Sequence, residues 1–271
     1  MLCVAVVSAG CGGKPRQFGA RTYNKKIMWD TNTQALLRSL AYVFAPHIWK
    51  LCVNDMFSNK LDPEKIKAKN TKQLKKLGID VIDHLPWIEI KKQRADPDIA
   101  KRWITMSALL QLHFNAPREF ICNYLKKNEL LSEVSDAEQI YIETDYSEIN
   151  EQLQINLNWS IEAIWALAWV GGFHEKLTFN TGVENSLASF LPDFHELESA
   201  EKYIKKFRAR KQKVVFVELD RFYRAHWYAR NLQLEGKSSN KVNLSIIMER
   251  RRALEWVSNS FEVWDEISLD T

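Results

Sequence analysis

Between Trp159 and Val170 the chain reads WSIEAIWALAWV, and only Ser160 and Glu162 are polar. A helix that is apolar nearly all round cannot lie on a surface, because other elements must cover it on most sides. The stretch, closed by Gly171-Gly172, therefore demands a many-element fold with this helix near its centre. Trp165 and Trp169 are four apart and share a face, whereas Trp159 points ~80° away from Trp169 at 100° per residue. The rings form no single platform for stacking a base or sugar, so core packing is the expected role of all three. Glu162 falls in the first turn of this helix, where the dipole favours an anion; any deeper, it requires an arginine.

The rest of the composition agrees with helices. The 271 residues are 46% hydrophobic, enough for a large core, with only nine glycines and seven prolines. Strands joined by tight turns consume such residues, which disfavours an all-β fold. A net charge of +4 does not by itself imply nucleic acid, which is not an expected partner. The charges are segregated. Asn128 to Glu175 holds ten acids and no Lys or Arg. Lys60–Lys76 carries seven lysines, and Lys202–Lys213 carries seven basic residues and no acid. These runs read first as solvated helix faces, and second as surfaces for an acidic protein partner. Cys3, Cys11, Cys52 and Cys122 lack CxxC spacing and a histidine at ligand spacing. Cys52 and Cys122 read as ordinary buried thiols.

The amino terminus, LCVAVVSAGCGG, resembles a lipoprotein signal ending at an acylated cysteine, here Cys11. It lacks a basic residue before the apolar run, and Ser8 stands where Leu or Val is usual. Residues 1–31 are read as a flexible leader and 32–77 as a helical extension. No later apolar run reaches the ~20 residues that span a bilayer. A cytoplasmic location is expected, with lipid anchoring in a bacterial envelope through Cys11 as the alternative.

Apolar spacing predicts a helix over Thr33–Phe44 and a second, short one to Phe57. Asp62-Pro63 opens a lysine-rich helix that ends near Gly78, a capping acid followed by proline at the first helical position. Ile79–Lys92 should be extended. Asp96-Pro97 starts a helix to about Leu112, and Pro117 another to about Lys127. Ser135–Glu143 and Tyr146–Leu157 read as separate helices before the tryptophan helix. Ser199 caps a basic helix to about Lys211. Val214–Leu234 looks like one long helix, although Val214-Val215-Phe216-Val217 alone would suit a strand. Leu244–Val257 is the last, followed by an acidic tail.

Two arginine-rich stretches, ELDRFYRAHWYAR (Glu218–Arg230) and MERRRALEW (Met248–Trp256), supply partners for buried acids. Tyr223, Arg224 and Trp227 fall at spacings of one, three and four, and His226 and Arg230 are four apart. Glu249 shares a face with Ala253 and Trp256, whereas Arg250 points elsewhere. The tail adds Asp265, Glu266 and Asp270. Guanidinium forks bind carboxylates in bidentate fashion, so these groups are expected to knit the tail to the two helices. The alternative is a polar pocket that holds a small anion or does acid–base chemistry, with His226 as the general acid or base. Phosphate-binding, dinucleotide, zinc-protease and nucleophile-elbow motifs are absent, and no metal or cofactor is expected. His174-Glu175 and His195-Glu196 read as loop residues, because adjacent residues point to different sides of a helix.

From Gly78 to Thr271 the chain resembles a bacterial family, domain of unknown function 4272. The likeness rests on Leu85-Pro86 and Ile99-Ala100-Lys101-Arg102, then W-S-x-E-A-x-W-A-L-x-W from Trp159 to Trp169. It continues through Tyr223-Arg224-x-His226-Trp227, Glu249-Arg250, Ala253-Leu254-x-Trp256, Trp264-Asp265 and Asp270-Thr271. Members often carry a Cys-Asp pair after the tryptophan helix, where this chain has Val183-Glu184-Asn185. The resemblance implies a mostly helical, cytoplasmic domain and brings no catalytic residues with it.

The expectation is thus a mainly α, multi-helix globular domain over 78–271, with a central tryptophan-rich helix and little or no β-structure. In function it reads as a non-enzymatic binding or interaction domain. The alternative is an enzyme or small-anion binder built on Arg224, His226, Glu249 and Asp265.

Overall fold

The computed structural model describes residues 61–271. The leader, the candidate lipidation residue Cys11, the helices expected between Thr33 and Phe57, and Cys52 lie outside the described residues. The fold is mainly α, and no strand occurs among the described residues. Its helices are α1 (Pro63–Lys76), α2 (Asp96–Leu110), α3 (Arg118–Lys127), α4 (Gln139–Glu143), α5 (Glu151–Val170), α6 (Ala200–Lys206), α7 (Gln212–Leu234) and α8 (Leu244–Ser258).

Helix α1 begins where its capping chemistry says it should. The Asp62 carboxylate accepts from the Lys65 amide at 3.1 Å, with Pro63 at the first helical position. It ends through Gly78, whose φ of +72° lets the Gly78 and Ile79 amides fold back onto the Lys75 and Leu74 carbonyls. Ile66 and Leu74 turn its apolar side onto α7. Ile79–Lys92 then runs without regular structure.

The tryptophan helix is longer than expected. A single helix, α5, runs from Glu151 to Val170, and the Asn150 side chain caps it by accepting from the Leu153 amide at 2.9 Å. The stretch read as a separate helix over Tyr146–Leu157 splits instead: Tyr146–Glu148 is a 3-10 turn and the remainder is the first half of α5. Asn150 wins because it offers a cap directly before an unbroken run of helix formers. Glu162 consequently lies mid-helix, not in the first turn. Ser135–Glu143 also divides, into a 3-10 turn at Asp136–Glu138 and the short α4.

Helix α6 stops at Lys206, five residues before the expected end. Phe207 is fully buried, and the chain turns extended there to bury it. Arg208 and Arg210 are thereby withdrawn from a basic helical face. Arg210 donates to the Trp169 and His174 carbonyls at 2.8 and 2.7 Å, while Lys202 and Lys205 pair with Glu198 and Glu201. Helix α7 covers Val214–Val217 as helix, since the 23-residue run continues its apolar stripe through Phe222 to Ala229. Cys122 is half-buried rather than buried, its Sγ 3.7 Å from the Ile142 carbonyl.

Helix α8 packs against both α5 and α7, and α5 packs against α2. Trp103 on α2 is fully buried, stacks on Phe173 with ring centroids 4.7 Å apart, and meets Phe207 at 5.9 Å. Trp165 and Trp169 are buried, whereas Trp159 is only half-buried. The expectation of core packing therefore fails for Trp159: its ~80° offset turns it off the face that meets the other helices. Three indoles carry an arginine over a face: Arg94 over Trp256 at 3.9 Å, Arg102 over Trp264 at 4.3 Å and Arg210 over Trp169 at 4.8 Å.

Candidate functional site

The residues singled out from the sequence fall into four places. Glu162 and Arg250 form a buried pair between α5 and α8, with Arg250 Nε and Nη2 donating to Glu162 Oε2 at 2.9 and 2.6 Å. Arg250 also donates to the Thr178 and Thr181 carbonyls at 2.8 and 2.9 Å, tying down the loop after α5. Burial pushes Glu162 up and Arg250 down from their ordinary values, and the attraction between them opposes both shifts.

Arg224 pairs with Asp220, one turn earlier on α7, through contacts of 2.9 and 2.7 Å. Asn70 of α1 donates to the same carboxylate at 2.9 Å, and Arg224 reaches the Pro86 carbonyl at 3.1 Å. This cluster binds α1, α7 and the irregular segment together, and the Arg224 side chain has no exposed surface.

His226 is buried, and Arg251 Nη1 donates to its Nδ1 at 2.7 Å, so Nε2 carries the proton. Arg251 also donates to the Leu269 and Asp270 carbonyls and to Glu255. The tail is therefore knitted down by Arg251 through backbone carbonyls, and the Asp270 carboxylate, one of three tail acids expected to meet a guanidinium, instead accepts from Ser268 Oγ at 2.8 Å. The Tyr223 ring lies beneath the Arg251 guanidinium at 4.9 Å, and burial raises its phenol. Arg230 is exposed and bonds Gln233.

Burial, then the charge of Arg251, push the His226 imidazole down to about 4 from 6.5. The unfolded chain therefore takes up this proton first as the pH falls. The stability that neutral His226 contributes is complete above about pH 6.5 and is lost as the pH drops towards 4, by about 2–3 kcal/mol at pH 4.5. Urea unfolding at pH 7 and 4.5 should show wild type losing that much more than His226→Gln, whose amide oxygen can still accept from Arg251. Equal losses would contradict the assignment.

Asp265 and Glu249 stand apart from Arg224 and His226, so the four groups of the acid–base alternative do not converge. Both line a hollow of about 270 Å³. Helix α5 supplies Leu157, Trp159 and Ser160 to its wall, and α8 supplies Met248, Glu249 and Arg252. Met106, Tyr141, Leu157 and Trp264, all buried, also line it. The tail is fixed beside it: Asp265 accepts from Ser135 Oγ at 2.8 Å and the Ala137 amide at 2.9 Å, capping the 3-10 turn that carries Glu138. Glu138 is itself fixed by Arg102 through contacts of 2.6 and 2.8 Å. A second hollow of about 270 Å³, with Glu255 and Ser258 on its wall, lies between α8, the irregular segment and the tail.

Sequence reasoning missed Trp159 as a cleft residue, and missed Arg94, Arg102 and Arg251 as anchors. Arg251 had a signal: in Arg250-Arg251-Arg252, consecutive residues sit 100° apart, so a buried helix must send them to three different places. One goes to Glu162, one to the tail and one to the cleft. Among the described residues, no group of three or more His, Cys, Asp or Glu is placed to hold a metal ion. No helix among them is long and apolar enough to cross a membrane.

Fold and cleft together define a mainly helical domain with a fragment-sized, aromatic- and acid-lined hollow at the junction of α5, α8 and the tail. The family model described as Domain of unknown function (DUF4272) matches residues 66–267, and the chain belongs to this family. No curated protein and no solved structure matches.

Proposed function

We propose that the domain is a non-enzymatic binding module whose ligand seats in the cleft between α5 and α8. The observation that carries this reading is the half-buried Trp159, which lines a hollow together with the buried Met106, Tyr141 and Leu157. Ligand sites are concave and combine apolar walls with polar groups that orient the ligand, and this hollow sets Met106, Leu157, Trp159 and Trp264 beside Glu249, Arg252 and Asp265. Two of its lining groups, Glu138 and Asp265, are already held by Arg102 and by Ser135, which limits what a ligand must order on binding. The acid–base alternative is less well supported: Arg224 and His226 are enclosed and partnered, without a face open to a substrate.

The test is calorimetric titration of the full chain with fragment-sized amphipathic compounds. Wild type should bind some of them saturably, with a rise in melting temperature, since a ligand held only by the folded state stabilises it. Trp159→Leu should keep the melting temperature of the free protein and lose the binding at least tenfold. A wild type that binds none of them, or a Trp159→Leu variant that binds as well, would overturn the reading.

A further inference from the structure

The cleft's own carboxylates differ in how they are satisfied, and this bears on the charge of what it takes. Glu138 accepts two bonds from Arg102 and a third from the Ser135 amide. Asp265 accepts from Ser135 Oγ and the Ala137 amide. Glu249 accepts no hydrogen bond among the described residues, although its side chain is only 20% exposed. Its nearest cation is Arg252, at 3.8 Å, beyond hydrogen-bond length. Arg252 is a loose partner in its own right, with a buried Nε that has nothing to donate to. Burial raises Glu249 above the ordinary carboxylate range, and Arg252 only partly offsets this.

The indole that lines the same hollow is equally unspent. Arginines cover faces of Trp169, Trp256 and Trp264, but among the described residues no ring or cation lies over Trp159. A partly buried carboxylate without a hydrogen-bond donor, lining the same hollow as an indole that no ring or cation covers, is stabilised by a cation, and the ring quadrupole favours the same charge.

We infer that the cleft selects an organic cation, an ammonium or guanidinium on a short apolar body, with Glu249 as its counter-charge and the Trp159 ring as its wall. This rests on the binding reading above and adds the ligand's charge to it. With Glu138 neutralised by Arg102, Glu249 and Asp265 against Arg252 leave an excess of one negative charge, which would disfavour an anion of the same shape. A hollow of about 270 Å³ suits a fragment or the side chain of a lysine or arginine, not a drug-sized molecule.

Three compounds of nearly equal shape separate the outcomes: phenethylamine, phenethyl alcohol and 3-phenylpropanoate, titrated calorimetrically into the full chain at pH 7 and low salt. The amine should bind at least tenfold tighter than the alcohol, and the propanoate weakest. Glu249→Gln should bring amine and alcohol within threefold of each other. Glu249→Asp, which keeps the charge at shorter reach, should retain part of the preference and serves as the second variant should Glu249→Gln not fold. Trp159→Leu should weaken amine and alcohol alike. Equal binding of amine and alcohol by wild type, or a preference that survives Glu249→Gln, would overturn the cation inference and leave the binding reading standing. Tightest binding of the propanoate would overturn it too, by assigning recognition to Arg252. Should none of the three bind while other amphipathic compounds do, the inference falls alone; should nothing bind at all, the binding reading falls with it.

Discussion

Replacing Arg250 by methionine should lower the free energy of unfolding by about 3–5 kcal/mol, the usual cost of breaking a buried ion pair from one side. Methionine approximates the length of the arginine stem, so little volume is lost. What is lost is the counter-charge of Glu162, which has almost no contact with water. The Thr178 and Thr181 carbonyls lose their donors in the same step. Glu162 must then take up a proton, and burial already pushes its pKa upward, so the gap between the variant and wild type should narrow as the pH is lowered from 7 to 5, the loss at His226 being common to both. Urea unfolding at the two pH values measures both effects. A loss under about 1 kcal/mol, or no relative recovery at low pH, would mean that the pair is wetter than the structure has it.

Trp103→Ala should cost a similar amount, about 3–5 kcal/mol, for a different reason. Trp103 is fully buried on α2 and lies against Phe173 and Phe207. Its removal leaves a hollow that rings anchored on separate segments cannot collapse to fill. Trp103→Phe should be much milder, because it keeps a ring against Phe173 and removes an indole Nε1 that is buried without a partner. Thermal or urea unfolding of the pair of variants checks the order. A Trp103→Phe variant as unstable as Trp103→Ala would contradict the packing argument.

Much of the helical order was legible because it is written in local chemistry. Asp62-Pro63, Asp96-Pro97 and Pro117 mark helix starts through local backbone chemistry, the first with a side-chain cap and the other two through proline at or beside the first turn. Boundaries failed where burial overruled pattern. Phe207 pulls the chain out of α6 to reach the core, and Asn150 begins a helix that swallows a predicted break. The Glu162–Arg250 pair was half legible: a carboxylate deep in an apolar helix demands an arginine, but sequence spacing cannot say which one, 88 residues away, answers. The cleft was not legible. Its residues come from α2, α4, α5, α8 and the tail, and only the folded chain gathers Trp159 with Glu249.

The central claim is that the buried guanidinium–carboxylate pairs are architecture and that function resides in the cleft. The most direct test is the affinity of phenethylamine for the double variant Glu162→Leu/Arg250→Met. Removing both charges leaves no lone buried ion, so the double variant should be more stable than Arg250→Met alone. Folded, it should bind phenethylamine within threefold of wild type. A double variant that folds with wild-type melting behaviour yet no longer binds would place the buried pair inside the functional site and contradict the account.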